Sequence, residues 1–216
     1  MSTDNILRYV LYTMEGLAAI TGIIMFKRVK NTLWQWFVVY LVLIFLTELT
    51  GEFIYRVYDR NVDVYIKWAI PLQFFFFCWL FFRYASRRSD KWVSVACALA
   101  YAAAFVTETF LLKNPKFVFT SLSYMTGNII LLLQIILFFA RFTASNDILH
   151  YRQSQMFWVC IGLLVFYLAT LPFFGLWNNL RKYHSSLFNN YWRVQTCLAA
   201  GMYGFFAASF IWNKKN

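Results

Sequence analysis

The stretch that decides the fold is Trp34-Gln-Trp-Phe-Val-Val-Tyr40-Leu-Val-Leu-Ile-Phe-Leu-Thr47-Glu48-Leu-Thr-Gly-Glu52-Phe-Ile-Tyr55-Arg56. Its first part is apolar with no charge, and its length suits a helix crossing a bilayer. Its second part places Glu48, Glu52 and Arg56 four residues apart, along one helical face. A charge inside such a span costs several kcal/mol, so it faces protein or water and often marks function.

The rest of the chain has the same character. Of 216 residues, 61% are hydrophobic and only 13% charged. That leaves too little polar surface to coat a water-soluble globule. The expected class is all-α, a polytopic membrane protein forming a single transmembrane domain over residues 1–216, with the lipid bilayer as its first partner. The formal charge of +11 does not point to nucleic acid. The basic residues come in short clusters between apolar runs, as membrane topology requires, and no nucleic-acid motif appears.

Seven spans are expected, at about Ile6–Phe26, Leu33–Tyr55, Val64–Tyr84, Trp92–Leu112, Phe119–Phe142, Met156–Trp177 and Asn190–Trp212. The start Met-Ser-Thr-Asp-Asn lacks the basic flank and cleavage site of a signal peptide. Lys27, Arg28, Lys30, Arg83, Arg87, Arg88, Lys91, Arg141, Arg152, Lys214 and Lys215 fall on one side, and the other nine of the 20 basic residues on the other. The basic first loop and tail place the N-terminus outside and the C-terminus inside. The expected location is the cell inner (plasma) membrane. Tryptophans 34, 36, 68, 92, 158, 177, 192 and 212 lie at span ends, as an interfacial belt would.

On this topology the carboxylates collect in the outer half. Glu15 is roughly 13 Å deep, Glu48 about 10 Å, Glu108 about 6 Å and Glu52 about 4 Å, at 1.5 Å rise per residue. Among the nine acidic residues only Asp90 and Asp147 lie inside. Lys67 and Arg193 stand near outer span ends, with Gln73, Tyr124, Asn128, Tyr167, Thr170, Gln195 and Thr196 at outer depth. The expected site is an outward-side polar cavity for a small polar ligand or ion. Its candidate residues are Glu15, Glu48, Glu52, Glu108, Lys67, Gln73, Asn128, Tyr167, Arg193 and Gln195, with the Glu15–Glu48 pair central. Glu52, Arg56, Lys67 and Arg193 are shallow enough to snorkel to the interface instead. Gly201 and Gly204 are expected to permit close helix packing.

No catalytic set, metal site or cofactor is expected. His150 and His184 lie in loops on opposite sides. No glycine-rich phosphate loop, nucleophile elbow or Cys/His cluster occurs. Cys78, Cys97, Cys160 and Cys197 read as small apolar residues inside spans. The seventh span has no central lysine for a retinal Schiff base, which excludes a microbial rhodopsin. Three roles remain open: a receptor-like sensor or accessory subunit, a small-solute or proton-coupled transporter, and a structural subunit of a membrane complex. A sensor needs a cytoplasmic or membrane signalling partner, because the loops are too short to hold an output domain. The transporter draws on a faint echo of Tyr12–Phe26 in Tyr124–Phe138 and of Leu41–Leu49 in Leu163–Leu171, which would make three-helix repeats joined by the fourth span.

The segments Leu46-Thr-Glu48-Leu49, Tyr65-Ile-Lys-Trp-Ala-Ile-Pro71-Leu-Gln-Phe-Phe75 and Phe157-Trp-Val-Cys-Ile-Gly-Leu-Leu-Val-Phe-Tyr167 are similar to a set of uncharacterised bacterial seven-helix inner-membrane proteins. The resemblance implies the seven-helix fold along the whole chain. It lends no activity and no site residues.

Overall fold

A computed structural model describes residues 3–58, 69–111 and 121–212. Among them every regular element is helical. The order is α1 (Thr3–Ile24), α2 (Phe26–Val29), α3 (Trp34–Tyr58), α4 (Ile70–Tyr84), α5 (Arg88–Val106) with a π turn (Thr107–Leu111), α6 (Ser121–Thr143), a 3₁₀ segment (Asn146–Gln153), α7 (Gln155–Gly175), α8 (Trp177–Tyr183) and α9 (Ser185–Trp212). Six helices are long and apolar enough to cross a membrane: Thr3–Ile24, Trp34–Ile54, Arg88–Phe110, Leu122–Thr143, Gln155–Phe174 and Ser186–Trp212. The chain is a multi-pass membrane protein on that ground.

Several boundaries differ from the sequence expectation. The fourth span begins earlier, at Arg88, because Asp90 sits in its first turn, where a carboxylate complements the exposed N–H groups. The seventh begins at Ser185, and the expected outer loop before it is the short helix α8. The basic loop after the first span contains a helical turn, α2. Of the expected third span the described residues hold Ile70–Tyr84, a shorter apolar helix that is not among the six, with Pro71 in its first turn, where the missing N–H costs no hydrogen bond. Residues 64–68, with Lys67 and Trp68, lie outside the described residues, as do the loop from Asp59, the turn at Lys113–Lys116 and the tail Lys214–Lys215.

The chain divides into two compact units. The first comprises Met1–Leu46, Ile135–Ala169 and Asn189–Asn216; the second comprises Thr47–Gln134 and Thr170–Phe188. Helices α3, α6, α7 and α9 contribute residues to both.

In the first unit, α1 turns a stripe of Glu15, Ala18, Ala19 and Gly22 inward. Small residues at that spacing let backbones approach. A Cβ on Gly22 would lie 3.2 Å from Val38 and 3.5 Å from Phe210, and one on Gly16 would lie 3.3 Å from Phe45. The α7–α9 crossing is as close: a Cβ on Gly162 would stand 3.2 Å from the Met202 carbonyl oxygen. Gly201, expected to mediate packing, instead is exposed and has no neighbour within 4 Å among the described residues, while Gly204 meets only the mobile tip of Met14. Their sequence spacing gave no helix rotation, and rotation decides which glycine faces a partner.

In the second unit, Phe74 is the centre. Its ring lies 4.9 Å from that of Tyr101 and 5.5 Å from that of Tyr124. Tyr124 in turn meets Phe174 at 4.0 Å. Phe74 and Phe77 are buried and Phe75 faces outward, so the four-phenylalanine run serves core and surface at once. Trp177, expected in an interfacial belt, is buried against Phe173, Phe174 and Phe188.

Candidate functional site

The candidate residues divide between the units. Glu15, Tyr167, Arg193 and Gln195 belong to the first; Glu48, Glu52, Gln73, Glu108 and Asn128 belong to the second. Lys67 lies outside the described residues, as does the Arg56 side chain that would pair with Glu52. Glu15 and Tyr167 are buried, whereas Glu48, Glu52, Gln73 and Gln195 are half-buried.

Glu108 is occupied by a structural task. It sits in the π turn that ends α5 and is only 3% exposed. One carboxylate oxygen accepts the Leu122 N–H at 3.1 Å and the other accepts the Ser123 N–H at 2.7 Å. These are N–H groups of the first turn of α6, which have no partner within their own helix. Glu108 thus caps α6 from a neighbouring helix, and its charge meets the positive end of the helix dipole. The sequence carries no mark of this contact, because the partners are backbone groups.

Arg193 also has a defined partner. Its Nε donates to Asp4 Oδ1 at 2.7 Å, and the two side chains are 42% and 50% exposed. The pair ties the start of α1 to α9. Asp4 precedes the first apolar run, and nothing in the sequence pairs it with Arg193. Arg193 therefore anchors an exposed end of the first unit.

The remaining polar groups separate by their hydrogen bonds. Thr196 and Ser209 donate to the carbonyls of Trp192 and Phe206 in their own helix, which satisfies them locally. Asn128 is different. It is 0% exposed in α6, and neither its Oδ1 nor its Nδ2 has a hydrogen-bond partner. The Tyr101 hydroxyl, also fully buried, has none either. Gln134 donates from Nε2 to Cys78 Sγ at 3.3 Å but leaves its Oε1 unmet. Tyr101, Cys78 and Gln134 come from three helices of the second unit. Asn128 lies one turn beyond Tyr124, which shares the Phe74 ring with Tyr101. Phe74 also lies against Gly127, the residue before Asn128.

The second unit thus holds neutral hydrogen-bonding groups around an aromatic centre. Its one fully buried carboxylate among the described residues is already engaged. Unmet amides and hydroxyls in a membrane interior are costly and rare, so the arrangement can bind a polar group that reaches them. No group of three His, Cys, Asp or Glu side chains suited to a metal ion occurs among the described residues. Cys78, Cys97 and Cys160 are buried and Cys197 is exposed; none forms a disulfide. Searches found no protein-family model, curated protein or solved structure that matches this chain.

Proposed function

We propose that this chain is a seven-helix inner-membrane protein, N-terminus outside and C-terminus inside, acting as a receptor-like sensor or accessory subunit. It takes a small polar ligand or ion in its outer half and passes the signal to a partner in the membrane or at its basic loops. The observation that supports this reading is Asn128, a fully buried amide with neither end hydrogen-bonded. An unmet amide group costs about 1–3 kcal/mol. The packed arrangement therefore carries a penalty that a ligand would relieve by opening the core and bonding Asn128. Such a differential is what a ligand needs to shift a two-state equilibrium. The outer position follows from the proposed orientation, in which α6 starts outside.

The test is thermal unfolding of the purified protein with a panel of small polar solutes, for the wild type and Asn128→Leu. The leucine fills similar volume and has no polar atoms. The variant should be more stable than wild type without ligand, and should lose the stabilisation that an effective solute confers. A solute shift that persists in Asn128→Leu would sink the proposed site.

A further inference from the structure

One end of the first unit combines packed aromatic rings with exposed cations and an exposed leucine. Aromatic side chains gather there. Phe37 stacks on Phe210 at 5.8 Å and meets Trp34 at 5.8 Å. Trp158 lies 4.2 Å from Trp212, and Phe157 lies 5.6 Å from Phe142 and 5.2 Å from Tyr151. The start of α3, the ends of α6 and α9 and the start of α7 thus share one aromatic level, and Gly22 near the end of α1 joins them through Val38 and Phe210. Tryptophan and tyrosine at such a level mark the bilayer interface.

Two connections emerge at that end. The first, between α1 and α3, is an ordered turn. Lys30 N–H donates to the Phe26 carbonyl, Thr32 N–H and Oγ1 both donate to the Val29 carbonyl, and Asn31 N–H donates to Gln35 Oε1. Asn31 adopts φ 65°, a left-handed conformation that asparagine tolerates. Val29 is the buried anchor, which leaves Lys27, Arg28 and Lys30 exposed around it. None of the three cations has a carboxylate partner among the described residues.

The second connection is the 3₁₀ segment Asn146–Gln153. It is held by the Ser145 cap on the Asp147 N–H and by the Trp158 indole donating to the Arg152 carbonyl. It exposes Ile148 and Leu149, the latter by 78%, beside Arg152. A soluble polyanion would neutralise the cations but leave these apolar side chains in water. A phospholipid surface satisfies both, with phosphates for the cations and acyl chains for Leu149.

We propose that the turn Phe26–Lys30 and the segment Asn146–Gln153 form a binding surface for the headgroups of anionic phospholipids. Lys27, Arg28 and Lys30 engage the phosphate, and Leu149 inserts at the headgroup–acyl boundary. The surface belongs to the first unit and is independent of Asn128.

Brominated lipids test this, because Trp34, Trp158 and Trp212 stand at the aromatic level and bromine quenches tryptophan on contact. The protein is placed in nanodiscs of phosphatidylcholine with an increasing share of dibrominated phosphatidylglycerol, and quenching gives the relative association constant. Wild type should prefer the anionic lipid, and the preference should fall with salt. A surface cation contributes about fivefold. Each of Lys27→Gln, Arg28→Gln and Lys30→Gln should therefore lower the preference by about that factor, and the triple variant by up to about a hundredfold. The single variants decide the matter if the triple variant does not fold. A preference unchanged in all three single variants overturns the proposal. So does full loss of the preference on adding millimolar inorganic phosphate, which would make free phosphate the ligand.

Discussion

Replacing Gly127 by alanine should destabilise the second unit, and Phe74 should be the reason. A Cβ at this position would lie 2.6 Å from two carbons of the Phe74 ring and 2.7 Å from a third. Ordinary contact begins at 3.4 Å, so the ring must retreat by roughly 0.8 Å. It has nowhere to go, because Phe74 is buried between Tyr101 and Tyr124. Overpacking costs about 1–3 kcal/mol, and a displacement this large falls in the upper part of that range, about 2–3 kcal/mol. Alanine's better helix propensity returns up to about 1 kcal/mol, which leaves a net loss of about 1–2 kcal/mol. The assay is reversible unfolding in mixed micelles with rising dodecyl sulfate, followed by tryptophan fluorescence. Adding Phe74→Leu to Gly127→Ala makes the experiment diagnostic. The smaller side chain removes the clashing ring carbons, so the double variant should be more stable than the sum of the singles by at least about 1 kcal/mol. Strict additivity, or a Gly127→Ala protein as stable as wild type, would refute the close approach of α6 to Phe74.

Three further outcomes are expected. Gly162→Ala should destabilise by about 1–3 kcal/mol with no single rescuing side-chain change, because the new methyl meets the backbone of Met202 as well as Phe205; denaturant unfolding of single and paired variants checks this. Glu108→Gln removes the charge and one of two acceptors from the first turn of α6. It should cost about 1–2 kcal/mol and speed hydrogen exchange selectively at the amides of Leu122 and Ser123. A double-mutant cycle over Asp4→Asn and Arg193→Gln should give a small coupling that shrinks with salt, since both side chains are near half-exposed. A coupling that salt leaves unchanged would mean that the pair is shielded from water.

What could be read from the sequence was length and polarity. A run such as Phe37–Leu46 can only be buried in lipid or protein, so the helical membrane class followed directly. Spacing along each helix was also legible, because rise per residue is constant. Rotation was not. A helix that is apolar on every side offers no periodic signal to say which face meets a neighbour. That is why Gly201 and Gly204 read alike although only Gly204 meets a neighbour, and why nothing distinguished Phe74 from Phe75. The candidate site shows the same limit. Asn128 stands out in the sequence as a polar residue in an apolar run, but its isolation is a property of the surrounding packing. Glu108 was marked as a buried carboxylate, and its partners remained hidden because every residue except proline has an N–H. The turn Phe26–Val29 was read as loop because its basic residues mark a span end, whereas the one buried valine that folds it has no distinguishing neighbour.

The bond from Glu108 to the start of α6 also bears on how the chain enters the membrane. The carboxylate is synthesised only 14 residues before the Leu122 amide that it serves. If α5 entered lipid alone, it would carry an unmatched carboxylate near its trailing end, and α6 alone would carry bare amides at its leading end. Folded back on each other, the two segments cancel both defects before either reaches hydrocarbon. Insertion of α5 and α6 as one hairpin is therefore favoured over insertion in sequence.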